Sequence, residues 1–215
     1  MNTILCYGDS NTWGYPAREQ RPLPNTVRYG TDVRWGSVMR TILGEGYTVI
    51  EEGLGGRTTV WNDPIEGEHL NGKPYLLPCL RSHSPLNLVI IMLGTNDLKS
   101  RFGLSAADIA DGAGVLVDIA QRSETGPNGV VPKVLLIAPA PVTRLTAFAE
   151  MFAGSEAKSH QLAAQYQRVA TERGCAFFDA GSVIQSSDLD GIHFSPEAQQ
   201  VLGRAIATVA KALLS

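Results

Sequence analysis

"LVIIMLGTND" occupies residues 88–97. Its first six positions are apolar without any polar alternation. A strand with that pattern is buried on both faces, which is the habit of parallel sheets covered by helices. It therefore reads as the central strand. The run then stops on Gly94-Thr95-Asn96-Asp97, residues that favour turns. Working outward, strand-like runs lie at Thr3–Tyr7 and Tyr47–Glu51 before it, and at Lys133–Ala138 and Ala176–Phe178 after it. Helix-like stretches alternate with them: Arg34–Leu43, Ser105–Arg122, Phe148–Glu172 and Pro196–Leu214. Ile109, Val115, Leu116 and Ile119 show the helical spacing of apolar groups. Gly174 suits a C-cap, and Ser195-Pro196 suits an N-cap and first helical position. Alternating strands and helices imply an α/β protein. The expected form is a flavodoxin-like three-layer α/β/α sandwich with a five-stranded parallel sheet in the order 2-1-3-4-5.

The bulk properties agree with one domain spanning residues 1–215. A chain of this length buries roughly 70% of its unfolded surface. Hydrophobic residues make up 44% and charged residues 18%, and the net charge of −3 gives no electrostatic case for nucleic acid or an anionic membrane. No apolar run approaches the ~20 residues of a membrane-spanning helix. Met1 leads directly into a strand without a basic leader. Cys6, Cys79 and Cys175 are odd in number and form no CxxC pair. Cys6 and Cys175 lie in apolar runs and read as reduced core residues, so a cytoplasmic location is expected.

Three loops exceed what a compact domain needs: Tyr15–Val33, Thr58–Pro78 and the Pro-rich Pro139–Ala147. Long loops commonly serve function or interfaces. Leu23, Val27, Tyr29, Trp61, Leu76 and Leu77 read as exposed apolar groups on the first two, and imply a homo-oligomer.

Ligands of open parallel sheets bind beyond the carboxyl ends of the strands. Gly8-Asp9-Ser10 follows the first strand. Gly53-Leu54-Gly55-Gly56-Arg57 follows the second and Gly94-Thr95-Asn96-Asp97 the third. Asp179 and then Asp188-Leu189-Asp190-Gly191-Ile192-His193 follow the last. Ser10 alone could be a helix N-cap. With a base nearby it could be a nucleophile. His193 is a candidate base, and Asp190, three residues earlier across a glycine, could reach its Nδ1. A metal site of Asp188, Asp190 and His193 is an alternative, disfavoured because no second histidine is near. Asn96 could donate to an oxyanion, as could the N–H groups of Gly56 and Ser10.

Together these blocks show a family resemblance. "GDSNTWG", "GLGGRT", "LGTND" and "DGIH" resemble the serine, glycine, asparagine and Asp-x-x-His blocks of SGNH (GDSL-type) hydrolases. The likeness runs from Ile4 to the final helix. It is closest to the bacterial arylesterase, acyltransferase and perhydrolase group, in "EEGLGGRTT", "LVIIMLGTND" and "FFDAGSVI…DGIHF". The resemblance implies Ser10 as nucleophile, His193 as base oriented by Asp190, and an oxyanion hole of Ser10, Gly56 and Asn96. It implies no metal or organic cofactor. Gly56 is preferred to Gly55 by its spacing to Arg57-Thr58. Glu52 stands where many members have asparagine.

The expected reaction is hydrolysis of short-chain acyl or aryl esters through an acyl-serine, with transfer to alcohols or hydrogen peroxide. Asn11, Trp13, Tyr15, Phe148, Phe152 and Ile192 are the expected substrate-binding wall. Asp9, Arg57 and Asp97 are expected to support the loops. A carbohydrate acetyl esterase of the same fold is one alternative. A flavodoxin-like module binding a flavin phosphate at Gly8–Trp13 is another, weakened because no GxGxxG or P-loop follows any strand. A partner-binding module without turnover is a third. GxSxG is missing, so a nucleophile elbow of the α/β-hydrolase kind is not expected.

Overall fold

The computed structural model describes residues 1–18 and 27–215. Among the described residues, five strands form one parallel sheet: β1 Asn2–Gly8, β2 Tyr47–Gly53, β3 Leu88–Met92, β4 Lys133–Ala138 and β5 Ala176–Asp179. Their order is β2-β1-β3-β4-β5, as the sequence implied. All five residues of β3 are buried, which is why its sequence lacks alternation.

Successive side chains on a strand face opposite layers, and the two cores follow that rule. Leu5, Tyr7, Val89, Ile91 and Leu136 pack on one side with Leu76, Ile109, Leu116 and Tyr166. Those partners come from α3 Gly72–Ser82, α4 Ala106–Gln121 and α6 Leu162–Arg173. Ile4, Cys6, Ile90, Met92, Leu135 and Ile137 face the other layer, against Trp35, Met39, Leu202 and Ile206. That layer is α2 Trp35–Leu43 and α7 Pro196–Leu214. Two shorter helices remain, α1 Ser10–Trp13 and α5 Ser155–Ser159.

The direction in which strands are added to the sheet reverses between β1 and β3, which remain parallel. From β1 the chain crosses to β2 on one side, then returns to β3 on the other. Such a switch point opens a crevice beyond the strand ends. Gly8, Gly53 and Met92 lie in register there, so the loops after β1, β2 and β3 emerge side by side.

Three expectations need correction. Phe148–Glu172 is not one helix. Gly154 adopts φ +77, a left-handed conformation that interrupts helical propagation, and α5 and α6 follow separately. The segment Thr58–Pro78 is not loop throughout, because α3 begins at Gly72. Gly72, Pro74 and Pro78 mask that helix in the sequence. Pro74 sits in the first turn, where no N–H is needed, and Pro78 forgoes one internal hydrogen bond. Asn71 caps the start by accepting from the Lys73 N–H at 2.9 Å. Consequently Leu76 is fully buried rather than exposed. Leu77, Val27 and Tyr29 are half-buried and Trp61 is exposed, while Leu23 lies outside the described residues. Cys6 and Cys79 are buried but Cys175 only half-buried, and all three thiols are free.

Candidate active site

The loop after β1 is built around small residues. A Cβ on Gly8 would stand 2.0 Å from Thr12 Oγ1, so only glycine lets the chain turn directly off the strand. Asp9 then caps α1, accepting from the Asn11 N–H at 2.9 Å. Gly14 closes the short helix in a left-handed conformation. Ser10 is thereby the first helical residue, almost buried, at the carboxyl end of the sheet.

The loop before α7 supplies the partners. Gly191 adopts φ +82, and a Cβ there would meet the Arg144 carbonyl oxygen at 2.8 Å. This turn folds the chain back so that Asp190 Oδ1 accepts the N–H groups of both Ile192 and His193 at 2.9 Å. Asp190 Oδ2 lies 2.8 Å from His193 Nδ1 and also accepts the Arg18 N–H at 3.2 Å. Burial raises the Asp190 pKa, but the hydrogen bonds and charge of His193 outweigh it and leave the carboxyl below its ordinary value. His193 Nε2 lies 3.0 Å from Ser10 Oγ. Rings of Tyr15 and Phe148 flank the imidazole, with centroids 4.8 and 5.7 Å away. Both ring nitrogens are thus engaged by Asp190 and Ser10, and Asp188 is exposed, so the alternative metal trio does not converge.

Gly56 and Asn96 come from the neighbouring strand ends. Gly56 adopts φ +82, and a Cβ would press within 3.0 Å of Leu70 Cδ1. Asn96 Nδ2 donates to the Arg57 carbonyl at 3.1 Å, which orients the amide and leaves its second N–H for another acceptor. Arg57 is itself buried; its guanidinium donates to the carbonyls of Gly8 and Glu52 and lies 4.2 Å above the Tyr7 ring. Asp97 accepts the Thr59 N–H through both oxygens at 3.1 Å, and the Thr59 hydroxyl as well. Arg57 and Asp97 therefore bolt the β1, β2 and β3 ends together. Burial pushes the carboxyls of Asp9 and Asp97 up to about 6, and the Asp9 charge adds to the rise at Asp97.

A cavity of about 650 Å³ opens over these groups. Ser10, Gly56, Asn96 and His193 line it, with Trp13, Tyr15, Phe148, Phe152 and Ile192 from the expected wall. Asp190 sits behind the imidazole. Asn11 is a correction, because it is buried and does not line the cavity. Its Nδ2 donates to the Ile192 carbonyl at 3.3 Å and its Oδ1 accepts the Phe194 N–H at 3.1 Å. Leu54, Leu70, Met151, Glu66, His69 and Lys99 also line the cavity and were not anticipated. Leu54 lies inside the glycine block and was legible. Glu66 and His69 come from the long loop between β2 and α3, which carries no periodicity to place them. Lys99 is buried and pairs with Asp63 at 3.1 Å and with Glu66. Asp63 is also buried, which alone would raise its carboxyl. The N–H groups of Glu66 and Ile65 and the side chain of Lys99 hold it far below the ordinary range instead.

The chain matches the profile of the GDSL-like Lipase/Acylhydrolase family over residues 6–201. The fold is similar to that of the native M. smegmatis aryl esterase, with a TM-score of 0.94, 44% identity and 100% of both chains covered. A carbohydrate acetylesterase from Sinorhizobium meliloti is 43% identical, with a TM-score of 0.93 over 99% of this chain and 100% of the other. A carbohydrate acetylesterase family member from the same organism is 38% identical, with a TM-score of 0.90 over 100% of this chain and 99% of that one. No curated protein matches. With the family blocks gathered at one sheet edge and matched over most of its length, the chain belongs to the GDSL-type (SGNH) lipase/acylhydrolase family and is a carboxylic ester hydrolase.

Proposed function

We propose that this esterase works through an acyl-serine formed on Ser10. The single observation that supports the reading best is the unbroken line of hydrogen bonds from Asp190 through His193 to Ser10 Oγ. Ser10 Oγ attacks the ester carbonyl while His193 Nε2 takes its proton. Asp190 holds Nδ1–H, which fixes the tautomer and favours the imidazolium as it forms. The carbonyl oxygen becomes an oxyanion and receives the N–H groups of Ser10 and Gly56 and the free N–H of Asn96. On collapse the C–O bond to the alcohol breaks, and His193 returns the proton to the departing oxygen. Water, activated by the same imidazole, then releases the acid and restores Ser10. These steps need no metal or organic cofactor. The test is Ser10→Ala, which should leave at most the roughly 10³–10⁴-fold catalysis over water that binding and the oxyanion hole supply.

Short acyl or aryl esters fit a cavity walled by Trp13, Tyr15, Phe148 and Phe152. The same wall supports acyl transfer: an apolar alcohol or hydrogen peroxide competes with water for the acyl-enzyme. Incubation with ethyl acetate and benzyl alcohol should then give benzyl acetate as well as acetate; acetate alone would leave plain hydrolysis. A second reading, deacetylation of a carbohydrate, is favoured by the polar side of the cavity formed by Glu66, His69 and Lys99. A higher kcat/KM on an acetylated sugar than on an aryl acetate would select it. We further propose a single domain that assembles as a homo-oligomer in the cytoplasm. Trp61 and Ile65 are 37% and 75% exposed on the loop that borders the cavity, an apolar surface that a second copy would cover. Light scattering that returned the mass of one chain would contradict the assembly. Among the described residues no helix is long and apolar enough to cross a membrane.

A further inference from the structure

Behind the active edge, the end of α3 meets the end of β2. There Glu52, Cys79 and His83 bring a carboxylate oxygen, a thiol sulfur and an imidazole nitrogen within 4.8 Å of one another. We propose that these three residues form a binding site for a borderline divalent cation of the zinc class, separate from the ester-cleaving site. Three features of the chain lead to it. Cys79 and His83 are four residues apart at the end of one helix, so their side chains rise from the same face. Glu52 approaches them from the penultimate position of β2. Its Oε1 is 2.9 Å from His83 Nε2, while the Tyr75 hydroxyl donates to its other oxygen at 3.4 Å.

The donor set suits zinc rather than magnesium or calcium, since it offers sulfur and nitrogen beside a single carboxylate. Zinc bonds of about 2.0–2.3 Å in a tetrahedron put donors roughly 3.3–3.6 Å apart. The Glu52–His83 contact must open by a few tenths of an ångström, and the sulfur must close in. Cys79 is buried, whereas the side chains of Glu52 and His83 are 22% and 31% exposed. The site is thus roofed on one side and reachable from solvent on the other, with the fourth position left for water. Charge also balances. On binding, Cys79 loses its proton to solvent, and thiolate plus carboxylate neutralise the dication. The Tyr75 hydroxyl would then serve as an outer partner orienting Glu52.

None of the three residues lines the ester cavity, so the site is structural or regulatory. Glu52 nevertheless lies one residue from Gly53, and its carbonyl accepts from Arg57. A cation here would pin the strand end from which the Gly55–Gly56 turn springs.

The test is titration of the full-length, chelator-treated protein with cobalt(II), a spectroscopic stand-in for zinc. We expect one equivalent to bind with a near-ultraviolet thiolate-to-cobalt absorption band that added zinc abolishes. The band should vanish in Cys79→Ser and weaken at least tenfold in apparent affinity in His83→Gln. The half-exposed His83 makes its variant safe for folding, and circular dichroism checks both. Absence of the band in the wild-type protein would overturn the proposal. So would its persistence in folded Cys79→Ser, which would assign the thiolate to Cys6 or Cys175, or an affinity unchanged in His83→Gln.

Discussion

Asn11 clasps the peptide on both sides of His193. Its Nδ2 donates to the Ile192 carbonyl and its Oδ1 accepts the Phe194 N–H, while its own carbonyl accepts from Gln199 Nε2 at 2.9 Å. The residue after Ser10 thus holds the loop that carries the imidazole, across 183 positions of sequence. Asn11→Ala removes both side-chain bonds and leaves buried groups unpaired. We expect a loss of about 1–3 kcal/mol of stability. A misplaced imidazole should also lower kcat by up to roughly 10²-fold, with KM changed less. Steady-state kinetics and thermal unfolding of the same variant check the two effects. An unchanged kcat would show that Asn11 serves packing alone.

Asn96 should matter to the transition state rather than to the bound ester. Asn96→Ala should lower kcat by roughly 10²–10³, or about 2.7–4 kcal/mol, with little change in KM. Its amide is already oriented by the Arg57 carbonyl, so no reorganisation is needed as charge develops. A variant that loses KM but keeps kcat would contradict the role.

Asp190 should prove indispensable through its charge and its acceptor oxygen together. Asp190→Asn can still accept the Ile192 and His193 N–H groups, but its amide N–H cannot accept the Nδ1 proton. Loss of the tautomer should cost kcat up to roughly 10⁴-fold. Thermal stability of the variant separates this from collapse of the loop.

The buried carboxyls of Asp9 and Asp97 set a pH dependence of stability with a definite sign. Their folded pKa values of about 6 lie above the ordinary 3.8. Between those pH values the folded protein keeps protons that the unfolded chain has released. Stability from these groups therefore falls as pH rises from about 4 to about 6, and the penalty is complete above that. Asp97→Asn has no such proton to lose. Relative to wild type it should gain up to roughly 3 kcal/mol between pH 4 and pH 7, read from urea unfolding at each pH. A stability difference independent of pH would refute the shift at Asp97.

Much of this was legible because the informative signals are local. Five apolar runs punctuated by glycine and asparagine marked the sheet; the turns just past the first three carry the candidates Ser10, Gly56 and Asn96, and the Asp-x-x-His block before the last helix carries Asp190 and His193. What stayed hidden depends on tertiary context. α3 was obscured because Gly72, Pro74 and Pro78 lower local helix propensity, while burial of Leu76 and Leu80 compensates. Gly154 broke an apparently continuous helical pattern by its backbone conformation. Asn11 sits beside Ser10 in sequence and so read as a pocket residue. Its direction is set by hydrogen bonds to a distant loop, which no local pattern reports. Glu66 and Lys99 reach the cavity through an ion-pair cluster around buried Asp63, an arrangement equally invisible along the chain.

Ser10 is the residue proposed to carry the acyl group. Labelling of the wild-type protein with a fluorophosphonate, followed by peptide mapping in a mass spectrometer, tests it directly. We expect one adduct, on the peptide containing Ser10, formed in step with loss of esterase activity and absent from Ser10→Ala. An adduct on any other serine, with activity lost in the same proportion, would contradict it.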